Sequence, residues 1–252
     1  MTQIALQMYT LREFMKTPPD MARTLARVKK LGYDAVQLSA HGPIEPQEMQ
    51  KMLHNEGLTC CATHVSLDRM RDQTQEVIDE QRLWNCSFTA IGGFFPKDPT
   101  MQTWLDFARD YNAIARKFDG SGISIGYHNH SHELARYDNT TALAILLEKL
   151  TKQIWFEIDT YWIAHGGGDP IAWIRKVSGR IPCVHFKDMG VKNDRTQYMA
   201  EVGVGNLNWP GIITACRDAG VKWYIVEQDV CYRDPFDSVK TSLQNLKAMG
   251  LS

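Results

Sequence analysis

The sequence predicts a single (β/α)8 barrel. Three observations carry this: the length, the strict alternation of apolar strand-like runs with helical stretches, and the lack of any composition break. The 252 residues match the roughly 250 typical of such a barrel. Hydrophobic residues make up 44% and charged residues 23%, an ordinary balance for a chain that buries a sizeable core. Strict alternation implies a parallel sheet, and no G-x-G-x-x-G follows the first strand to suggest a dinucleotide fold. One barrel domain is therefore expected over residues 1–252.

The elements follow in order. The apolar run Ile4 to Tyr9 is strand one, and a Pro18-Pro19-Asp20 turn opens a helix. There Met21, Leu25, Val28 and Leu31 recur at three- and four-residue spacing, and Gly32 stops it. Asp34 to Ser39 is strand two, and Pro46 to Glu56 is a helix stopped by Gly57. Leu58 to Val65 is strand three, with a polar helix from about Asp72 to Asn85. Cys86 to Gly92 is strand four. The helix Thr100 to Phe118 follows, its stripe formed by Trp104, Phe107, Tyr111 and Ile114. Gly122 to Tyr127 is strand five, with a helix from about Asn139 to Leu150. Ile154 to Ile158 is strand six, and the helix Pro170 to Val177 places Pro at its permissive first turn. Ile181 to Phe186 is strand seven, followed by a helix from about Trp209 to Ala219. Trp223 to Val226 is strand eight, and Pro235 to Ala248 is the last helix.

Charge and cysteine narrow the function. Lys+Arg total 28 against 29 for Asp+Glu, a net charge of −1, which argues against a broad grip on nucleic acid. No run approaches the ~18 apolar residues of a membrane span. The start Met1-Thr2-Gln3-Ile4 lacks the pattern of a secretory signal. None of the six cysteines stands in a Cys-x-x-Cys pair; Cys60, Cys61, Cys86 and Cys183 lie in apolar runs. Reduced structural thiols in a cytoplasmic protein are expected. Arg23, Arg27, Lys29 and Lys30 read as a solvated helix face.

Function in such a barrel gathers at the C-terminal ends of the strands. Gln7 ends strand one, Gln37 sits in strand two and His64 ends strand three. His128-Asn129-His130 ends strand five, with Glu133 beyond. Glu157 and Asp159 end strand six, His185, Lys187 and Asp188 end strand seven, and Glu227 ends strand eight. Side chains there converge on the axis, so the carboxylates repel unless a cation lies among them. Mixed carboxylate and imidazole donors suit one Mn²⁺, Mg²⁺, Co²⁺ or Zn²⁺ ion; a network of buried ion pairs is the alternative. His41, His54 and His165 read as solvated or locally bonded, and His132 as loop surface. His64 reads as either a substrate contact or a core histidine.

A family resemblance rests on several motifs in one order. They are Gly126-Tyr-His-Asn-His-Ser-His-Glu133, Phe156-Glu-Ile-Asp-Thr-Tyr-Trp162, His185-Phe-Lys-Asp188, Glu201-Val-Gly-Val-Gly205 and Val226-Glu-Gln-Asp229. The chain resembles the sugar phosphate isomerases/epimerases of the xylose-isomerase-like TIM barrel superfamily, near its inosose dehydratase and 3-keto-glycoside-processing members. The resemblance implies one divalent metal held by a Glu, Asp, His, Glu set. Asp159, His185 and Glu227 match its last three members. At the fifth strand His128 stands where a glutamate is usual, so either His128 is the ligand or the loop returns Glu133. Glu133 is preferred narrowly, as a carboxylate facing Glu227 supplies a paired acid and base. Trp162 stands where many relatives carry a substrate-binding histidine, adding an apolar stacking face. Glu157, two residues before Asp159 and so on the same face, is expected to support the metal from behind.

The chemistry implied is proton abstraction next to a carbonyl of a keto sugar or related polyol. The metal stabilises an enediolate, and a general base and acid move the proton. Glu133, His128 or His130 on one side and Glu227 on the other are the candidates, with Lys187 binding an oxyanion or a phosphate. Gln7, His64, Trp162 and Lys187 are the expected substrate contacts. Isomerase or epimerase is the first reading; a lyase acting on an inosose or a 3-keto-glycoside is the second. An endonuclease IV-like or non-catalytic sugar-binding barrel is the third. The expected partner is a small sugar, with neither nucleic acid nor membrane, and the chain could form a homo-oligomer.

Overall fold

Residues 4–251 are described by the structure, a computed structural model. Eight parallel strands close a barrel in chain order: β1 (Ile4–Gln7), β2 (Ala35–Leu38), β3 (Thr59–His64), β4 (Phe88–Ile91), β5 (Ser124–His128), β6 (Trp155–Asp159), β7 (Cys183–Phe186) and β8 (Trp223–Val226). Closure comes from β1 pairing with β8, Ile4 opposite Tyr224 and Leu6 opposite Val226. Among the described residues no helix is long and apolar enough to cross a membrane.

Side chains along a strand alternate between two faces, and the sequence uses that alternation in two ways. Outward residues are large and apolar: Leu6, Val36, Tyr127, Phe156, Ile158, Val184, Phe186 and Tyr224 belong to the main core under the helices. Inward residues at the lower level are mostly small. Ala5, Ala35, Cys61, Ala62, Ala90, Cys183 and Ile225 surround Trp155, which fills the barrel interior. Gly126 is part of that fit, because a Cβ on it would lie 2.4 Å from the Trp155 indole. One inward step further along each strand, the small residues give way to Gln7, Gln37, His64, His128, Glu157, His185 and Glu227. The polar layer thus sits on a closed apolar floor.

The helices end as their sequences dictate. Gly32 stops the Pro18–Leu31 helix in a left-handed conformation (φ 103°), its N–H bonding to Lys29 and Val28 carbonyls, the usual role of glycine there. Several boundaries differ from expectation. Strand one ends at Gln7 and Met8–Phe14 forms a 3-10 helix, because the Gln7 side chain accepts from Tyr9 N and starts the turn. The expected 72–85 helix is two helices, Leu67–Asp72 and Thr74–Leu83, parted at the non-helical Gln73. Strand five runs Ser124–His128, carrying His128 into the sheet, and the helix after it covers Ala142–Lys149. Two hairpins in the loops were not expected, Arg136–Tyr137 with Thr140–Thr141 and Asp188–Val191 with Gln197–Ala200. Cys60, Cys61, Cys86, Cys183 and Cys216 are buried free thiols, and Cys231 is half-buried.

Candidate active site

Four side chains from neighbouring strand ends converge: His128 from β5, Asp159 from β6, His185 from β7 and Glu227 just after β8. Their donor atoms lie within 4.8 Å of one another, and all four residues are buried. The period-two register explains the convergence. Trp155, Glu157 and Asp159 share one face of β6; Cys183 and His185 share one face of β7.

Three of the four ligand candidates are oriented from outside the cluster. Asp159 divides its labour: Oδ1 accepts from Trp162 N (2.9 Å), capping the short helix Thr160–His165, and Oδ2 faces the cluster. Asn129 Oδ1 accepts from Asp159 N (3.1 Å) and ties β5 to β6. His185 Nε2 lies 2.6 Å from Gln37 Oε1, an acceptor only, so Nε2 carries the proton. Gln37 Nε2 in turn donates to Glu157 Oε1 (2.9 Å). His128 Nδ1 is 3.3 Å from the Gly92 carbonyl, which favours a proton there.

The second ring nitrogen of each imidazole turns inward. His185 Nδ1 sits 2.9 Å from Glu227 Oε2, and neither atom has a well-formed hydrogen bond. His128 Nε2 is 3.4 Å from Asp159 Oδ2. Two imidazole and two carboxylate lone pairs turned on one point repel unless a cation or proton joins them. That donor set fits one divalent ion of the borderline class. Burial would lower the His185 pKa, but Glu157 and Glu227 outweigh it and raise it well above the imidazole range. The same negative field attracts a metal, whose uptake would release that proton.

Lys187 completes the charge balance. Its Nζ lies 3.0 Å from Asp159 Oδ2, 2.8 Å from Glu227 Oε2 and 2.9 Å from Asp229 Oδ1. Burial opposes the ammonium, but Asp159, Glu227 and Asp229 raise its pKa well above the ordinary value. Burial likewise opposes the charged form of Glu227, but Lys187 and His185 hold its pKa low. Asp229 goes the other way, raised by burial and by neighbouring Glu227.

Behind the cluster, Glu157 is fully buried and receives His64 Nε2 at 2.5 Å on Oε2. Glu157 meets His185 Nε2 both through Gln37 and directly, at 3.3 Å from Oε1. Burial lowers the His64 pKa despite Glu157, and burial and His128 push His130 down to about 2.

A cavity of about 300 Å³ opens over the cluster, with His64, His128, His130, Lys187, Glu227 and Asp229 in its wall and Tyr9 and Phe95 among its apolar residues. His64 and Lys187 both border this cavity. Gln7 and Trp162 are not in that wall. Gln7 turns its Oε1 to Tyr9 N (3.2 Å). Trp162 lies tilted against His130, ring centroids 5.1 Å apart, with Lys187 Nζ 5.4 Å from its ring centre.

Glu133 does not join the four. Tyr127 donates its hydroxyl to Oε1 (2.7 Å) and the His130 backbone N–H donates to Oε2 (2.9 Å). Because Tyr127 faces outward, the carboxylate it holds is drawn away from the axis, and burial raises its pKa. The fifth-strand place beside Asp159 is taken by His128. His132, expected on the surface, is half-buried with Nε2 2.8 Å from the Phe94 carbonyl. His54 and His165 are exposed, and His41 bonds locally to Gly42 O.

Two residues acquire roles that spacing did not reveal. Asp188 accepts from the backbone N–H groups of Met189, Gly203, Gly205 and Leu207 and from Trp209 Nε1. It thereby ties the Glu201–Gly205 loop to the end of β7, and a Cβ on Gly205 would fall 2.5 Å from its Oδ1. Thr160 Oγ1 accepts from Lys187 N (3.0 Å) and donates to Lys187 O (2.8 Å), fixing that backbone. A polar residue abutting a strand end was the available signal in both cases.

Known proteins share this architecture. The chain superposes on a sugar phosphate isomerase/epimerase from Parabacteroides distasonis with a TM-score of 0.80 at 23% identity, covering 98% of this chain and 94% of that one. It superposes on a structure described as L-ribulose 3-epimerase with a TM-score of 0.73 at 16% identity, covering 98% and 94%. These likenesses establish the fold. In sequence, 167 residues are 27% identical to an inosose dehydratase of Clostridium beijerinckii, covering 58% of this chain and 54% of that protein. A further 23% identity over 165 residues links it to the rhizopine catabolism protein MocC of Rhizobium meliloti, covering 59% and 50%. The chain thus spans about half the length of these two relatives. The profile of the xylose isomerase-like TIM barrel family matches residues 25–249, nearly the whole barrel from the first helix onward, and the chain belongs to that family.

Proposed function

We propose that this protein is a divalent-metal-dependent enzyme that removes a proton from carbon beside the carbonyl of a keto sugar or related polyol. The observation that carries it is the convergence of His128, Asp159, His185 and Glu227 beneath an open cavity. These four residues would hold the metal, and Mn²⁺, Co²⁺, Mg²⁺ or Zn²⁺ suits the donors. When bound, the ion supplies Lewis-acid polarisation of a carbonyl oxygen.

The protein's own groups do the rest. Glu227, kept ionised by Lys187 and His185, is a base whose carboxylate reaches the cavity. Lys187 offers a permanent positive charge to the oxygen on which negative charge develops. His64, oriented by Glu157 through Nε2, and His130, held neutral by burial, can pass or return a proton from the opposite wall. Returning the proton to carbon makes an isomerase or epimerase, the first reading.

Elimination of a β-hydroxyl makes a lyase, the second reading. Two observations favour it: Glu133, the carboxylate expected to face Glu227, is bound to Tyr127 and the His130 N–H, and a matched relative is an inosose dehydratase. The substrate is a small sugar or polyol in both readings, and association of chains is compatible with either.

The test is a panel of keto sugars and inososes in D2O with Mn²⁺, followed by proton NMR. Deuterium in a stereoisomer or aldose–ketose partner supports the first reading, and a dehydrated conjugated product supports the second. No enzyme-dependent C–H exchange in any member would refute both.

A further inference from the structure

Lys187 occupies an unusual place for a cation beside a metal site. Asp159 Oδ1 is committed to Trp162 N, so Oδ2 is the oxygen left for a metal, and the ammonium sits 3.0 Å from it. Glu227 Oε2, the oxygen facing His185 Nδ1, is 2.8 Å from the same nitrogen. The ammonium and a divalent cation would therefore draw on the same two oxygens and repel each other across them. A third partner, Asp229 Oδ1 at 2.9 Å, stands outside the ligand cluster.

We infer that Lys187 is a displaceable counter-ion. It neutralises Asp159 and Glu227 until a divalent cation binds, then gives up those two oxygens, keeps Asp229 and turns into the cavity. There it meets an electron-rich oxygen of the substrate, so metal loading and substrate capture are coupled. The inference rests on the metal site proposed above. Thr160 clamps the Lys187 backbone at both N and O, so the motion is confined to the flexible side chain. Space is at hand, since Lys187 and Asp229 both border the cavity of about 300 Å³, whereas the Lys187 side chain is now 1% exposed. Asp229 is anchored for the task, its carbonyl accepting from Arg12 Nη2 (3.0 Å).

The test reads Mn²⁺ affinity from the paramagnetic resonance signal of the free ion, without reference to activity. Lys187→Met should tighten Mn²⁺ binding at least about tenfold, by removing the competing charge. Asp229→Asn should weaken binding in the wild-type background, where the lysine loses its alternative anchor. That weakening should shrink to near nothing in the Lys187→Met background. A plain long-range effect of the Asp229 charge predicts equal weakening in both backgrounds and would overturn the inference, as would unchanged or weaker binding in Lys187→Met. Binding by neither wild type nor variant would remove the metal reading itself, and this inference with it. If Lys187→Met fails to fold, reductive methylation of the wild type decides. Labelling of the Lys187 peptide should rise several-fold on Mn²⁺ addition; equal or lower labelling refutes the displacement.

Discussion

Exchanging His128 and Glu133 for alanine, one at a time, separates a ligand from a scaffold. Glu133→Ala leaves the buried Tyr127 hydroxyl and the His130 N–H without the acceptors they have at 2.7 and 2.9 Å. An unsatisfied buried donor costs about 1–3 kcal/mol. Removing a carboxylate that burial already disfavours offsets part of the two losses. About 3 kcal/mol should remain, which for a chain of this size lowers Tm by about 6–12 °C. Metal content should stay near that of the wild type. His128→Ala has the opposite signature. Its contacts to Gly92 O and Asp159 Oδ2 are long, 3.3 and 3.4 Å, so the metal-free protein should lose little stability. Metal affinity, however, should fall at least about a hundredfold, beyond the ~10–100-fold typical of removing a group behind a ligand. The assays are thermal unfolding in chelator and bound metal per chain after dialysis. A Glu133→Ala protein that melts like the wild type and carries no metal would refute the reasoning and restore Glu133 as the ligand.

Three further outcomes are expected. Gln37→Leu removes the Oε1 that holds His185 Nε2 at 2.6 Å and leaves it only Glu157 Oε1, at 3.3 Å; metal affinity should drop about 10–100-fold, read by competition with a chromogenic chelator. Glu227→Gln keeps a coordinating oxygen but removes the base, so substrate C–H exchange should slow at least about a hundredfold with most metal retained; loss of rate and metal in strict proportion would make Glu227 a ligand only. His130 has a depressed pKa in the folded protein, so below about 6.5 the unfolded chain binds a proton that the native state does not. Stability on this account is full above that pH and declines as pH falls. The decline should be about 2 kcal/mol between pH 7 and pH 5, and urea midpoints should show it shrinking in His130→Gln.

The parts of this protein legible in its sequence are those governed by a period. Alternation of apolar runs and helical stripes located all eight strands of the closed barrel. The two-residue repeat within them placed Asp159 above Trp155 and His185 above Cys183, facing inward. Glu157 was legible by the same rule. The loops obey no such period. Whether Glu133 returned to the axis depended on Tyr127, whose outward orientation is fixed by the sheet but whose hydroxyl finds its partner only after the 3-10 turn His132–Leu134 forms. Gln7 and Trp162 sat at the right heights but were drawn to local backbone and ring partners. The hairpin Asp188–Val191 with Gln197–Ala200 is short and half-exposed, so its pattern lies below what alternation can signal.

The same division between periodic wall and aperiodic loop explains how so many ionisable groups stay buried. Glu157, Asp159, His185 and Lys187 are each 1% exposed or less, an arrangement that costs stability unless every charge is paired. The pairing is supplied in tiers. Gln37 and His64 satisfy Glu157 from β2 and β3, Asn129 and Trp162 N hold Asp159, and Thr160 fixes the Lys187 backbone. Among the described buried side-chain atoms that lack a well-formed hydrogen bond are His185 Nδ1 and Glu227 Oε2, at the centre of the cluster. Saturated outer contacts around an undersatisfied centre suit a site that holds an ion and hands charge to a substrate, as the metal titrations and the C–H exchange experiment will read directly.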